Sequence, residues 1–443
     1  MTADRAAKLA VAASPSMAYA RALSLEAEAS VGLARTGLYP RLELEARYTH
    51  VDGFEDGQID TGLSAEQLAA AQQLAQTVTD PAARQLWLNS LDAQGPVTFE
   101  IPRNQYAFEA RILWPVSDVI FAVLPGIEAA EERVAATDHA QRATRSSVEL
   151  RATEAFYTLA KARGTLAVAQ ASERVALAQR VEIQAAVDAG FLTMSDSLAA
   201  TARVANAGRA VAAGEAAVAV SNGSLRLLIG VGTGPAFGVR DAVFYPPAPR
   251  EMRYRVLVKR ALSRRADLAA LRASLSSQRA ATAAIDAAAY PHLGVFGGVT
   301  YANPNPLVIP PTAEFAPSWQ VGAALTWSPN DLLTSVNRSD VHAAQRAATE
   351  ARIQQQEMAV RIEVRQALEE LRAAKKARVA ADESVNANEA AHASRLAALR
   401  GGAATSTEVF AAAAELDHAR LALLDAAVAQ RMADAKLRHA VAD

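Results

Sequence analysis

The 443 residues contain no cysteine. That excludes disulfides, thiolate metal sites, a cysteine nucleophile and a lipid anchor on an N-terminal cysteine. No run of about 18 apolar residues occurs, so no segment reads as a membrane-spanning helix. Aromatics are scarce, at 5%. The seven histidines are scattered, with no His-x-x-x-His and no cluster of metal-ligand spacing. Charge of one sign is lacking too, since the formal net charge is only −2. No long-range field favours nucleic acid or anionic lipid, and no basic stripe is interleaved with aromatics.

Half the residues are nonetheless apolar, at 51%, and alanine dominates that share. An alanine-rich, aromatic-poor chain cannot fill a thick core. It suits helices whose backbones approach closely along their length. Met1 to Ala20 carries Asp4 and only a short apolar stretch from Leu9 to Ala13. That is too short for the apolar region of a secretory leader, so either a leader has been removed or the protein is not secreted.

The chain reads as built twice. Gly37-Leu38-Tyr39-Pro40-Arg41-Leu42 returns as Ala288-Ala289-Tyr290-Pro291-His292-Leu293; Ala110 to Trp114 with Asp118 returns as Ala323 to Trp327 with Asp331. Ala189-Gly190-Phe191-Leu192-Thr193 with Asp196 corresponds to Gly401-Gly402-Ala403-Ala404-Thr405 with Glu408. The first repeat, 1–229, is expected to hold a helix, strands 41–50 and 105–114, a long helix 117–187, a tip 188–194 and a helix 195–229. A Gly- and Pro-rich linker, 230–250, follows. The second, 251–443, is expected to hold a helix, strands 292–301 and 318–327, a long helix 331–399, a tip 400–405 and a helix 406–440.

Period two marks the strands. Leu42, Leu44, Ala46 and Tyr48 alternate with Glu43, Glu45 and Arg47, and Tyr106, Phe108, Ala110, Ile112 and Trp114 alternate with Glu109 and Arg111. The third strand is weaker, with Leu293, Val295, Val299 and Tyr301 among glycines, and the fourth sets Trp319, Val321, Ala323, Leu325 and Trp327 opposite Gln320 and Thr326. A soluble sheet with one wet face alternates in the same way. Three features favour a membrane instead. Each strand is about ten residues, the length a tilted strand needs to cross a bilayer. Tyr48, Tyr106, Trp114, Tyr301, Trp319 and Trp327 lie at or near strand ends, as an interfacial belt requires. No helix carries enough bulky residues to cover such a sheet. Four strands cannot close a barrel, so membrane strands would require several chains to pool them.

The two long helical patterns run for about 70 residues, or roughly 100 Å at ~1.5 Å per residue. Their apolar stripes are narrow, as in Val360, Val364, Leu368 and Leu371 or in Leu421, Leu424, Val428 and Met432. Helices that touch two neighbours in a coiled coil or tube wall have this pattern. A shorter helix is expected over Ser64 to Thr77, within the Gln58 to Pro102 connection.

The duplicated order resembles the TolC-like outer membrane efflux family. The resemblance runs from Ser14 to the C-terminus and rests on the Tyr-Pro-x-Leu lead-ins at Tyr39 and Tyr290, the Trp-Pro and Trp-Ser-Pro exits at Trp114 and Trp327, and the Gly-centred tips. It implies a mainly α protein with membrane β-structure. Three protomers would form a twelve-stranded barrel continued by a twelve-helix periplasmic tunnel, with no enzymatic activity and no cofactor. It implies a homotrimer in outer membrane lipid that docks a periplasmic adaptor, or membrane fusion protein, and works with an inner-membrane transporter. The adaptor would meet the tips at Gly190, Phe191, Leu192, Thr193, Gly401, Gly402, Ala403 and Thr405. The family's gate acids match Glu408 and Asp196. Its second ring acid is Ala411 here and its tip arginine is Ala404, so Arg400, one turn earlier, is expected to pair with Asp196. The other reading of Glu408 and Asp196 is as ordinary acids at helix N-termini. Small toxic compounds are the implied cargo, with protein secretion as the alternative; a soluble coiled-coil scaffold is the reading from another class. The chain ends within its last helical pattern, where many members continue into a tail.

No other motif carries chemistry. Gly230 to Gly234 follows a helix and reads as a helix stop. Glu369-Glu370 and Lys375-Lys376 form a solvated helix face.

Overall fold

The computed structural model describes residues 1–53, 57–59, 63–92, 97–99, 102–239, 253–309 and 312–443. The 230–250 linker therefore lies outside the described residues from 240 onward, and the 58–102 connection does so in part. The chain divides into two units. The first, Met1–Gly32, Glu128–Ala281 and Asp340–Asp443, is helical. The second, Leu33–Ile127 and Thr282–Ser339, holds the main sheet.

The helical unit starts with α1 (Ala3–Ala13), capped by Thr2, whose hydroxyl accepts from the Arg5 amide. Ala3, Ala6 and Ala10 share one buried stripe, and α2 (Pro15–Thr36) follows. The long elements are α6 (Leu124–Asp188), α7 (Met194–Leu228), α10 (Pro329–Arg400) and α11 (Ser406–Val441). The first of two cores joins α1 to Phe156 and Leu159 of α6, Val218 and Leu225 of α7, and Leu424 and Val428 of α11. The second joins Val360, Val364, Leu368 and Leu371 of α10 to Leu437 of α11, to Leu257 of α8 (Tyr254–Arg264) and to Leu268 of α9 (Ala266–Asp286). Both stripes read from the sequence thus contribute to a core.

Small residues let the helices close. A Cβ on Gly164 of α6 would lie 2.6 Å from Leu424, and one on Gly214 of α7 would lie 3.1 Å from the Cα of Leu166. Each helix therefore packs partly against backbone, which an alanine-rich composition permits.

In the second unit four antiparallel strands form a sheet in the order β1-β4-β5-β6, with β1 (Arg41–His50), β4 (Asn104–Trp114), β5 (His292–Asn303) and β6 (Ala316–Thr326). A small ribbon pairs β2 (Gly57–Ile59) with β3 (Val97–Phe99). Within the connection, α3 (Ala65–Gln76) starts at a Ser64/Gln67 capping box, and α4 (Pro81–Asp92), which periodicity did not reveal, follows it.

One expectation needs correction. The 117–187 helix is not uniform: α5 (Val116–Asp118) passes into a π turn, Val119–Val123, before α6 begins. Pro125 has no N–H to donate to the carbonyl four residues back, and the wider turn absorbs that missing bond.

Candidate functional site

The sheet largely separates its side chains by face, with Leu113 and Phe296 the large apolar residues on the charged side. Leu42, Leu44, Ala46 and Tyr48 of β1 lie opposite Ile112, Ala110, Phe108 and Tyr106 of β4. Ala110 and Phe108 in turn face Val299 and Tyr301 of β5, and Val299 faces Trp319 of β6. This face is apolar across all four strands. It is also uncovered: Leu44 is 74% exposed, and Leu42, Phe108, Val321 and Leu325 are exposed as well. The opposite face carries Arg41, Glu43, Glu45, Arg47, Glu109, Arg111 and Gln320. Its charges are balanced within strands, with Arg47 on Glu45 (Nε to Oε1, 3.0 Å) and Arg111 on Glu109. An uncovered apolar face this wide marks a surface that meets another protein or a membrane.

The aromatics mark both ends of that face. At one end Tyr48 packs on Tyr106 with ring centroids 5.2 Å apart, and Phe315 stacks on Tyr301 at 5.0 Å. The register puts Trp319 beside this group, opposite Val299. At the other end Trp114 donates its indole N–H to the Leu38 carbonyl (3.2 Å), and Trp327 donates to the Ala289 carbonyl (3.3 Å). Each acceptor stands two residues before the proline that precedes a strand. Tyr106 to Trp114 and Trp319 to Trp327 both span eight residues, about 27 Å along a strand. At a strand tilt of about 40° that is roughly 20 Å of height, close to the apolar band between two aromatic girdles.

The helix turns between α6 and α7 and between α10 and α11 share their main-chain bonds, apart from a Leu192 amide bond to the Ala186 carbonyl in the first. Gly190 (φ +78°) and Gly402 (φ +73°) take the left-handed conformation that lets the chain leave the helix. Phe191 N donates to the Ala186 carbonyl and Gly190 N to that of Val187; Ala403 N donates to Ala398 and Gly402 N to Leu399, with Gly401 N on Ala397. Thr193 and Thr405 then open the next helices. The Thr193 amide donates to Asp196 (3.0 Å) and the Thr405 amide to Glu408 (2.9 Å). Both acids are therefore N3 residues of capping boxes.

The gate expectation changes at Arg400. It lies 3.7 Å from Glu182 of α6, and Asp196 instead accepts hydrogen bonds from the hydroxyls of Ser406 and Thr193. The cause is phase: Arg400 ends α10 beside α6, whereas Ser406 opens α11 next to the Asp196 cap. These bonds, from Ser406 first and then from the Thr193 hydroxyl and amide, hold the Asp196 carboxyl below the usual carboxylate range. Glu408 also meets Arg395 at 3.6 Å.

Further along, Arg203 of α7 donates to the Phe410 carbonyl (2.9 Å), lies over the Phe410 ring and stands 3.9 Å from Asp417 of α11, which accepts from Ser172 of α6 (2.6 Å). Sequence reasoning missed Ser406, Arg203, Asp417 and Ser172, because their partners lie some 200 residues away. Among the proposed tip contacts, Phe191 is 84% exposed. Leu192, Ala404 and Gly402 border an open groove of about 520 Å³ with Ile183, Leu399 and Phe410. Among the described residues no cluster has the composition to hold a metal ion.

Residues 257–443 match the outer membrane efflux protein family. Its members are transport channels of the outer membrane, not enzymes. No curated protein matches the chain. Among solved structures, the fold is similar to CusC, described as forming a transmembrane channel (TM-score 0.77, 15% identity, 99% of this chain and 91% of that one). It is similar to the outer-membrane channel OprN (0.74, 17%, 99% and 89%) and to VceC from Vibrio cholerae (0.72, 15%, 99% and 95%).

Proposed function

We propose that this chain is an outer membrane efflux protein, three copies of which assemble into an exit duct through the outer membrane. The observation that carries the reading is a sheet with an uncovered apolar face and, among the described residues, two unpaired edges, β1 and β6. In lipid an unpaired edge leaves backbone groups without partners, and only a closed barrel satisfies them. Pairing β6 of one copy with β1 of the next removes every edge. Three sheets of four strands then make a barrel of twelve. The apolar face would meet lipid, the aromatic ends the two interfaces, and the balanced charged face a water-filled lumen. The helices would continue the tube into the periplasm, in keeping with two structural repeats per chain.

The turns at Gly190 and Gly402 would form the periplasmic end. The groove beside Leu192 and Leu399, with the exposed Phe191, offers an adaptor an apolar seat. An inner-membrane transporter would supply small toxic compounds through that adaptor. Export of a polypeptide is the second reading, and the lumen is compatible with both. A soluble coiled-coil scaffold accounts poorly for the bare apolar sheet.

Planar-bilayer recording of detergent-purified protein tests the reading. Discrete channels from a particle of trimeric mass are expected. A monodisperse monomer without conductance would reject it.

A further inference from the structure

The segment 304–309, which follows β5, does not run on in line with the sheet but lies over its charged face. Asn305 fixes it there, with Nδ2 donating to the Ala316 carbonyl (2.8 Å) and to Ser318 Oγ (3.1 Å). Asn305 Oδ1 accepts from the Leu307 amide (3.0 Å) and its carbonyl from the Val308 amide (3.0 Å). Ser318 belongs to the charged face, in register with Thr300. Pro304, Val308 and Ile309 share a cavity of about 390 Å³ with Arg47, Ala107 and Glu109 of that same face. The covering is visible in burial: Asn305 is 1% exposed and Ala302, the last charged-face residue of β5 beneath the segment, only 2%. Phe315, by contrast, packs on the apolar face against Tyr301. The connection thus wraps the sheet end, with its aromatic on one side and its aliphatics on the other.

The aliphatics are unexpected where they stand. Leu307 and Ile309 are almost bare, Ile309 at 83%, above a face that carries Glu45, Arg47, Glu109 and Arg111. Apolar side chains placed against lipid would need no explanation, but these lie on the side away from it. Resting on the duct reading, which makes the charged face the lumen wall, we infer that residues 304–309 form an apolar collar inside the outer end of the barrel. Three copies would project Leu307, Val308 and Ile309 from the wall toward the axis. A ring of aliphatic side chains in a narrow aqueous pore raises a dewetting barrier to ions. The duct would then carry a constriction within its barrel. That collar would select against small hydrated ions while yielding to apolar or amphiphilic cargo that can displace it.

The test is bilayer recording with polyethylene glycols of graded size added only on the barrel side, comparing wild type with Leu307→Ser/Ile309→Ser and with Asn305→Ala. The serine substitutions sit at exposed positions, so trimer mass and melting temperature should not change. The collar predicts that the double variant admits barrel-side polymers that wild type excludes and conducts on the order of twofold more current. Asn305→Ala, which frees the segment from Ser318 and Ala316, should move both readouts in the same direction. Equal polymer cut-offs and equal conductance in conducting wild type and variant would overturn the collar and leave the duct intact. A wild-type protein without any channel would remove the duct, and the collar with it.

Discussion

At Gly230 two constraints fall on one residue. Its φ of +69° is costly for any L side chain, and a Cβ there would lie 2.5 Å from the Cβ of Ala13 in α1. Gly230→Ala should therefore destabilise the protein by about 1–3 kcal/mol, read as a lower melting temperature. Adding Ala13→Gly should restore the steric part and not the conformational part. Strict additivity of the two substitutions would show that the contact is not felt. Asp196 gives a second residue-scale prediction. Its folded pKa lies below the ordinary value of about 3.9, so its contribution is complete above that value and is lost as pH falls through the folded pKa. Exchange protection of the Thr193 amide, which donates to Asp196, should thus fall on acidification below about pH 4. In Asp196→Asn protection should already be low at neutral pH and flat across that range. The same acid response in the variant would assign the effect to another group.

For a strand, which face a residue occupies matters more than its identity. Ala323 and Ala324 are neighbours in β6, yet their partners are Val295 on the apolar face and Gly294 on the charged face. Ala323→Arg should cost about 2–4 kcal/mol of membrane stability near the midplane, whereas Ala324→Arg should be tolerated in the lumen. The yield of folded protein in outer membranes measures the difference. Equal yields would mean that neither face meets lipid. Among the helices, the cores are narrow and the closest approaches pass through Gly164 and Gly214. Element identity was largely legible because the periods of 2 and 3.6 are strong and unmixed. The exceptions have physical causes. Pro125 imposed a π turn, and α4 lacks the Ser-led capping box that marks α3.

At the scale of the whole molecule, the main sheet leaves both edges and its apolar face without partners among the described residues, so the proposed duct predicts a stability that depends on assembly. Mass measurement in detergent should give three times the 46.7 kDa chain, and single-channel conductance should rise in Glu408→Ala if Glu408 lines a closed tip. Unchanged conductance would leave Glu408 as the helix cap that its bond to the Thr405 amide already makes it. Arg203→Ala should also widen the tip, since Arg203 joins α7 to α11 through Phe410 and Asp417; an unaltered current would confine that tie to folding.

The sequence by itself determined the strands, the long helices, their stripes and the Gly-centred turns, all of which depend on neighbours within a few residues. Period, proline and glycine act locally, so they survive reading in one dimension. Tertiary structure alone decided what meets what across 200 residues. It turned Asp196 toward Ser406, sent Arg400 to Glu182, set Arg203 on Phe410 and folded 304–309 back over the charged face. Those choices follow from helix phase and strand register, which place distant side chains side by side and leave no trace in local pattern.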